Sequence, residues 1–377
     1  MRPVKVFRRL PPQSDRPDCA LTIGNFDGVH RGHQALINRL IASAREAGLA
    51  SCVLTFEPHP REYFALAHPG SRAAPARIST LRDKLAALAA LGIDRVCVAH
   101  FNQVLASMTP QAFARDVLFE GLRARHLLIG DDFRFGAKRA GDRALLERIA
   151  SDHRATVDAI QTVALPPSGA SSAGSQHGIP GGPSNAGSDS TPAPTRVSSS
   201  AVREALAGGD LERVRLLLGR PYTLSGRVIH GRKLGRTLGF PTMNLRFAHG
   251  RPALTGIYVV RIRGLATDPQ TRMNGVASLG TRPAVEADGR HLLEVHLPDW
   301  SGNAYGKLLE VEFVKKLRGE QPFESLEALT DQIREDVLAA RAYFSMSGLA
   351  APDSPPLLSL PLHPATPACP HGPDREP

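Results

Sequence analysis

Short apolar runs alternate with amphipathic helical patterns in the first part of the chain. The apolar runs are typical of buried strands, and they occupy Cys19–Ile23, Ser51–Phe56, Arg95–Phe101, Ala124–Ile129 and Thr156–Val163. The helical patterns between them occupy Gln34–Ala47, Leu81–Leu91, Pro110–Leu118 and Asp142–Asp152, and a Thr80/Asp83 capping box precedes the second. Alternating β and α elements predict an α/β fold, with a parallel sheet covered by helices on both faces.

From Tyr222 onward the pattern changes to short strands separated by Gly, Pro and Asp turns. The predicted strands are Thr223–His230, Ile257–Ile262, Met273–Ser278, Leu292–Leu297 and Leu308–Val314. One amphipathic helix follows them, and its apolar face is formed by Leu326, Leu329, Ile333 and Val337. Many short strands followed by one helix predict a small antiparallel β-barrel with a C-terminal helix.

Two stretches have the composition of disordered segments. Residues 166–195 are almost entirely Pro, Gly, Ser, Ala and Thr, and a Pro-rich stretch occupies 349–377. Such segments bury too little apolar surface to offset the entropy lost on ordering. We therefore expect a first domain over 1–218 with a disordered loop insertion at 166–195, a second domain over 219–348, and a disordered tail over 349–377.

Composition narrows the class of protein. A chain of 377 residues exceeds one ordinary core, so two domains are expected. The four cysteines lack metal-site spacing, which indicates reduced core residues of a cytoplasmic protein, and no apolar stretch is long enough to span a membrane. The net charge of +10 fits nucleic acid or small polyanions, but an aromatic content of 5% is low for a nucleic-acid stacking surface. Phosphorylated small molecules are the favoured partners, with no nucleic acid and no membrane expected, and the oligomeric state stays open.

The segment GNFDGVHRGH, from Gly24 to His33, is the most informative motif. It follows a predicted strand and precedes a predicted helix, so His30 and His33 lie on one side of a helix start. A helix N-terminus favours phosphate, and imidazoles there can donate hydrogen bonds to phosphoryl oxygens. Surface histidines or a helix cap are the plain alternative, and zinc is less favoured because no Cys or carboxylate cluster accompanies the pair. The pattern suits nucleotidyl transfer, in which a substrate phosphate attacks the α-phosphorus of ATP.

A second candidate site lies in a glycine-rich, basic segment of the barrel region. Residues 231–244 contain Gly231, Lys233 and Gly235, which could approach phosphates closely and neutralise charge, and they match neither a Walker A nor a GxGxxG pattern. A flexible basic turn is the alternative interpretation. Thr242 and Asn244 would present neutral oxygens on one face of an extended segment, which suits a hard cation such as Mg²⁺.

Glu294 is a candidate general base. Strand alternation places it with His296 on one face, opposite Leu293 and Val295. A solvated outer strand face is the alternative. The functional interpretation is that its carboxylate takes the proton from a substrate hydroxyl that attacks the γ-phosphorus of ATP.

Eight motifs in family order resemble the bacterial bifunctional riboflavin kinase/FAD synthetase family over residues 15–345. They are GNFDGVHRGH at 24–33, FEPHP at 56–60, IGDDFRFG at 129–136, SSSAVR at 198–203, GRTLGFPTMN at 235–244, NGVASLGTRP at 274–283, LEVHL at 293–297 and KKLRGEQPFESLEALTDQI at 315–333. The resemblance implies a Rossmann-like nucleotidyltransferase domain followed by a riboflavin kinase barrel. It also implies two reactions with ATP as co-substrate: phosphorylation of riboflavin to FMN with Mg²⁺, then adenylylation of FMN to FAD with release of pyrophosphate.

The resemblance implies roles for individual residues. In the first domain the expected catalytic residues are His30, His33 and Arg203, with ATP-phosphate contacts at Gly24, Asn25, Asp27, Gly32, Ser199 and Ser200. In the second domain Glu294 is the expected base, Thr242 and Asn244 the metal ligands, and Gly231, Lys233 and Gly235 the ATP-binding positions. The expected flavin-binding residues are Asp131, Asp132, Phe133 and Arg282.

Four positions depart from the family's usual residues. Ser200 keeps a hydroxyl and Met243 can repack, whereas Ser278 and Ala284 lose polar groups near the expected flavin side, so riboflavin affinity stays open. Two rival functions also stay open. One is a monofunctional FMN adenylyltransferase whose barrel only binds flavin, and the other is a flavin-responsive regulator that binds RNA through its basic surface.

Overall fold

The computed structural model of the chain describes residues 3–68, 70, 73–161, 164–165, 195–231, 234–246, 251–281, 291–347 and 362–364. Almost all of the predicted loop insertion at 166–195 lies outside these residues. The same holds for the predicted tail, apart from the short strand Leu362–Pro364. No helix in the described residues is both long enough and apolar enough to cross a membrane.

The N-terminal half is built on a parallel sheet. Its strands are β1 Val4–Phe7, β2 Cys19–Ile23, β3 Ala50–Glu57, β4 Arg95–His100, β5 Ala124–Gly130, β6 Thr156–Ile160 and β15 Leu362–Pro364. They lie in the order β15-β1-β4-β3-β2-β5-β6, and every neighbouring pair is parallel. The chain winds from β2 to one side through β3 and then returns to the other side at β5. The carboxyl end of β2 is therefore a switch point, where ligands bind in sheets of this kind.

Helices flank this sheet, and several of them pack apolar residues onto its two faces. They are α1 Arg31–Glu46, α2 Pro60–Ala67, α3 Leu81–Ala90, α4 Gln103–Ser107, α5 Pro110–Ala112, which continues as a π-helix over Phe113–Phe119, and α6 Arg143–Asp152. The face of α1 that packs on the sheet is formed by Leu36, Ile37, Leu40, Ile41 and Ala44. The predicted α/β fold is confirmed. The predicted capping box of α3 is also present, because the side chains of Thr80 and Asp83 each accept the backbone N–H of the other residue.

The C-terminal half contains a closed antiparallel barrel. Its strands are β9 Tyr222–Ile229, β10 Thr242–Arg246, β11 Gly256–Arg263, β12 Met273–Thr281, β13 His291–His296 and β14 Leu308–Arg318. They close in the order β10-β13-β12-β11-β14-β9. The short helix α9 Leu234–Thr237 precedes β10, and α10 Leu326–Ser347 packs its Val337 and Ala340 against Ile257, Val259 and Val276. The predicted barrel with a C-terminal helix is confirmed.

Two helices connect the halves, and a hairpin precedes them. The strands β7 Ala164–Leu165 and β8 Thr195–Arg196 pair antiparallel, and α7 Ser199–Gly208 and α8 Leu211–Leu218 follow. Val202, Leu206 and Leu217 belong to the same buried cluster as Leu224 of the barrel and Ile78 of the first half. The hydroxyl of Tyr222 also donates to the carbonyl of Ile78 at 2.8 Å. The two halves are therefore packed together through a shared apolar core.

Candidate active sites

The turn between β2 and α1, residues 24–30, has an unusual backbone, and we call it the histidine turn. Phe26, Gly28 and Val29 have φ values of +47°, +84° and +43°. A side chain at Gly28 would place its Cβ 2.7 Å from Cγ2 of Ile78, so both its φ and its close packing require glycine. Left-handed backbone at Val29 is strained because the side chain is β-branched, and such strain is typical of functional turns. This turn lies at the switch point of the sheet.

Asp27 fixes the turn from inside. Its side chain is 3% exposed, and its carboxylate accepts the backbone N–H groups of Ile78 and Ser79 at 3.2 Å. The Nη2 of Arg203 donates to the same carboxylate at 2.7 Å, while Nε of Arg203 donates to the carbonyl of Ala76 at 2.7 Å. Asp27 and Arg203, which lie far apart in the sequence, thus form an ion pair in which only Asp27 is buried, and the remaining guanidinium N–H groups of Arg203 can still contact a ligand.

His30 and His33 stack against one another at the start of α1. Their ring centroids are 3.7 Å apart with an interplanar angle of 18°. His30 is the N-cap, and its Nδ1 accepts the backbone N–H of His33, so a neutral imidazole carries its proton on Nε2. Burial lowers the pKa of His30 to about 4. Burial also holds the pKa of His33 well below its usual value, with smaller contributions from the neighbouring His30, Lys84 and Arg203 side chains. Both imidazoles are neutral at physiological pH and can each donate one hydrogen bond.

Acid should destabilise the fold through buried histidines. Burial also lowers the pKa of His59, the N-cap of α2, to about 4, against an ordinary value of 6.5. Between these values the unfolded chain binds more protons, so the contribution to stability is complete above pH 6.5 and is lost as the pH falls towards about 4. Each such group changes the free energy of unfolding by up to about 1.4 kcal/mol per pH unit.

We expect His59→Asn to lower the slope of the free energy of unfolding against pH, measured by urea titrations between about pH 7 and about pH 5. The decrease should approach about 1.4 kcal/mol per pH unit, which corresponds to the uptake of one proton on unfolding. Asparagine keeps an N-cap acceptor but does not titrate. The exposed His100→Asn variant is the control, and its slope should match the parent protein. If the free energy of unfolding had the same slope against pH in all three proteins, His59 would not contribute to the loss of stability in acid.

The other predicted phosphate-site residues surround the same turn. The Oγ of Ser199 donates to the carbonyl of Asp27 at 3.2 Å, and Ser200 is exposed in the first turn of α7. The N–H of Gly24 donates to Leu54 in β3, and a Cβ at Gly32 would lie 3.2 Å from the His30 ring. Asn25 accepts the hydroxyl of Thr55 through its carbonyl. These residues lie within one short stretch of the sheet edge.

The predicted flavin-side residues of the first half follow β5, which neighbours β2. Asp131 and Asp132 are exposed, and Asp132 forms an ion pair with Arg196 at 3.5 Å. The ring of Phe133 stacks on Phe135 with centroids 5.5 Å apart. Since β2 and β5 are parallel, these residues lie at the same edge of the sheet as the histidine turn.

Sequence reasoning missed an aromatic cluster at the carboxyl ends of β3 and β4. Phe56, Tyr63, Phe64 and Phe101 contact one another with centroid separations of 5.4 to 5.8 Å, and Phe64 is 42% exposed. The motif at 56–60 contained Phe56, but only the fold brings Phe101 to it. Half-exposed aromatic rings near the turn between β2 and α1 form an apolar surface on which a flat ring system can stack.

Strand register assembles the second candidate site. Asn244 of β10 lies directly opposite Glu294 of β13, and Glu294 in turn lies opposite Ser278 of β12. Thr242 pairs with His296, whose Nδ1 lies 2.9 Å from the carbonyl of Pro241. Met243 and Leu245 point into the barrel core, so Thr242 and Asn244 share the outer face. The residues predicted as metal ligands and base are therefore adjacent.

Two glycines bring the preceding loop onto this face. A Cβ at Gly231 would collide with the side-chain amide of Asn244, and a Cβ at Gly235 would collide with the carbonyl of Phe240 and approach Oγ1 of Thr242 at 3.3 Å. Lys233 and Arg282, predicted to bind phosphate and flavin, lie outside the described residues, as does Ala284. The close approach of backbone at Gly231 and Gly235 agrees with a cradle for a phosphate chain.

Two cavities flank Thr242. One has a volume of about 230 Å³, and Glu294, Ser278 and His296 form its polar lining. Its apolar lining comes from the barrel and α10 and includes Phe240, Ile257, Val276 and Ile333. Arg318 also lines it, and its guanidinium pairs with the buried Asp336 at 2.8 Å. The other, of about 240 Å³, is lined by Arg236, Met243, Trp300 and Tyr305. Thr242 lines both cavities, so a group bound in one can meet a group bound in the other at this residue.

The donors fit a magnesium ion held jointly with a substrate. Within the described part of the chain no three His, Cys, Asp or Glu side chains converge as a metal site. A hydroxyl at Thr242 and an amide at Asn244 instead offer two neutral oxygens, and Asn244 is only 6% exposed. Mg²⁺ commonly takes few protein ligands and fills its shell with water and substrate phosphates.

Comparisons with known proteins agree with a division of the chain into an N-terminal and a C-terminal half. The family model described as FAD synthetase matches residues 12–173, and the model described as riboflavin kinase matches residues 218–344. A crystal structure titled macrolide-efflux protein, from Streptococcus pneumoniae, aligns with 90% of this chain and 99% of its own at a TM-score of 0.62 and 24% identity. That likeness concerns the fold alone.

Curated relatives extend over nearly the whole chain. A bifunctional riboflavin kinase/FMN adenylyltransferase from Pseudomonas fluorescens is 43% identical over 94% of this chain and 99% of its own. The protein of the same description from Escherichia coli K12 is 41% identical over 91% of this chain and 99% of its own. The chain belongs to the bifunctional riboflavin kinase/FMN adenylyltransferase family.

Proposed function

We propose that this enzyme performs the family's two reactions at two separate sites, with ATP as co-substrate in both. Riboflavin is phosphorylated to FMN at the barrel, and FMN is adenylylated to FAD at the turn after β2. The observation that carries the assignment is the register that sets Glu294 beside Asn244, far from the stacked histidines in sequence and on a different sheet. We assign residues 1–218 to the adenylyltransferase domain and residues 219–348 to the kinase domain.

At the first site the residues bind and orient phosphates. A phosphate oxygen of FMN attacks the α-phosphorus of ATP, the bond from this phosphorus to the bridging β-oxygen breaks, and pyrophosphate leaves. The neutral imidazoles of His30 and His33 donate hydrogen bonds to phosphoryl oxygens, and the free N–H groups of Arg203 offset the developing charge. The Nδ1 of His33, buried and without a hydrogen-bond partner among the described atoms, supports a role in contacting a ligand.

The N–H groups at the start of α1, the hydroxyls of Ser199 and Ser200, and the backbone around Gly24, Asn25 and Gly32 complete the proposed triphosphate site. Asp27 acts by holding Arg203 and the turn in place. The isoalloxazine ring of FMN would stack on the aromatic cluster of Phe56, Tyr63, Phe64 and Phe101, and Asp131, Asp132 and Phe133 would border it on the β5 side. The shared sheet edge supports this placement.

At the second site Glu294 acts as general base. Its carboxylate takes the proton from the ribityl 5′-hydroxyl while that oxygen attacks the γ-phosphorus of ATP and ADP leaves. The apolar cavity that contains Glu294 suits the flavin ring, and the cavity bordered by Trp300 and Tyr305 suits ATP. Gly231, Lys233 and Gly235 would approach the phosphates of this ATP, and Arg282 would contact the flavin.

Thr242 and Asn244 would hold Mg²⁺ together with the ATP phosphates. A bound divalent cation supplies neutralisation of the phosphate charge during transfer. We also propose a cytoplasmic location, supported by the buried free thiols of Cys19, Cys52 and Cys97.

Supplying riboflavin, ATP and Mg²⁺ to the purified protein should yield FMN and then FAD, identified by chromatography. Chelation of the metal with EDTA should stop FMN formation, and added Mg²⁺ should restore it. FAD from supplied FMN without any FMN from riboflavin would favour the monofunctional adenylyltransferase. Steeply salt-dependent RNA binding without either product would favour the regulator.

A further inference from the structure

Arg220 contacts the histidine turn although it lies at the beginning of the second half of the chain. It follows α8 and Gly219 and falls within the residues that match the riboflavin kinase model, 218–344. Its Nη2 donates to the carbonyl of Gly28 at 2.7 Å, and its Nη1 donates to the carbonyls of Val29 at 3.1 Å and Leu218 at 3.3 Å. A residue next to the barrel therefore forms hydrogen bonds directly with the histidine turn.

The environment of this guanidinium is unusual. Burial lowers the pKa of Arg220 to about 10, which still leaves it charged at neutral pH. Among the described residues it has no carboxylate within ion-pair distance, and carbonyl oxygens are its hydrogen-bond partners. The carboxylate of Asp83 favours the charged form from beyond this distance. A half-buried cation held by carbonyls without an ion pair is costly to the fold, so a role beyond packing is expected.

The carbonyls that it binds belong to the strained part of the turn. Gly28 and Val29 both have positive φ, and Val29 directly precedes His30. The Nε2 of Gln34 adds a second connection, because it donates to the carbonyls of Val29 at 2.8 Å and Leu218 at 2.7 Å. Asp27 and Ser79 hold the turn from the sheet side, while Arg220 holds it from the barrel side.

We propose that Arg220 is a positioning residue for adenylyl transfer, whose planar guanidinium fixes the carbonyls of Gly28 and Val29 and thereby sets the place of His30. It acts through the turn and has no role in the kinase reaction. The inference rests on the proposed function of the histidine turn. A fork of N–H donors can hold two neighbouring carbonyls at once, which a lysine ammonium on a flexible stem does poorly.

The test compares full-length Arg220→Ala and Arg220→Lys with the parent protein. We expect kcat for FAD formation from FMN to fall on the order of 100-fold in Arg220→Ala, since small misplacement of catalytic groups has effects of this size. KM for FMN should change little, and riboflavin phosphorylation should persist. Arg220→Lys should lose less activity, and millimolar guanidinium should partly restore Arg220→Ala. The exposed Arg215→Ala on α8 is the matched control and should behave as the parent does.

The outcomes separate the inference from the proposal on which it rests. If Arg220→Ala keeps parental FAD formation while His33→Ala loses it, Arg220 has no positioning role and the site assignment stands. If His33→Ala keeps FAD formation, the proposed function of the turn fails first. Loss of both activities in Arg220→Ala without guanidinium rescue would overturn the inference in favour of a purely structural residue.

Discussion

Replacing Glu294 with glutamine should nearly abolish FMN formation from riboflavin and leave FAD formation from added FMN intact. Glutamine has the same size and still forms hydrogen bonds, but it cannot accept the proton of the ribityl hydroxyl. Loss of a positioned general base lowers kcat by about 10²- to 10⁴-fold. Chromatography of separate reactions started from riboflavin and from FMN measures the two steps in one preparation.

The exposed Glu324→Gln variant is the control, because Glu324 precedes α10 and does not line the cavity that contains Glu294. It should keep both activities. If folded Glu294→Gln formed FMN at the rate of the parent protein, the carboxylate of Glu294 would not be the general base. Loss of FAD formation from FMN as well would show that the two steps share this residue.

His33→Ala should produce the opposite pattern, with FMN accumulating and FAD formation falling by about 10²- to 10³-fold, the usual effect of removing one donor from a charged transition state. The imidazole is neutral because burial and neighbouring positive charge lower its pKa. In the proposed mechanism it therefore donates a hydrogen bond, and the loss of FAD formation should be similar from about pH 6 to about pH 8. The exposed His100→Ala variant is the control.

Phosphorylation of riboflavin by His33→Ala serves as the internal check on folding, since the barrel contacts the first half through a shared core. Unchanged FAD formation in a variant that still phosphorylates riboflavin would exclude His33 from the proposed site.

Patterns confined to short stretches of sequence were sufficient to predict most elements of the fold. Apolar runs located β2 to β6, and turn-separated strands located β9 and β11 to β14. Helix periodicity located α1 and α3, with ends that differ by a few residues because Arg31–His33 already form the first turn of α1. The signals were local, so they did not depend on knowing the rest of the structure.

Features that depend on contacts between distant residues could not be predicted in this way. The sequence predicts only an extended segment where β10 lies, and the place of β10 beside β13 comes from closure of the barrel. The Asp27–Arg203 pair joins the turn after β2 to α7, and the aromatic cluster needs β3 and β4 to end side by side. Arg220 gave no signal at all, because its partners are backbone carbonyls, which leave no trace in side-chain patterns.

The short hairpin of β7 and β8 has a practical consequence for engineering this enzyme. Ala164 pairs with Arg196 and Leu165 with Thr195, so the segment that joins them begins and ends at neighbouring points of the fold. Each doubling of the length of such a connection costs only about 0.6 kcal/mol. A fluorescent reporter or an affinity tag could therefore replace residues 166–194 without pulling the catalytic halves apart.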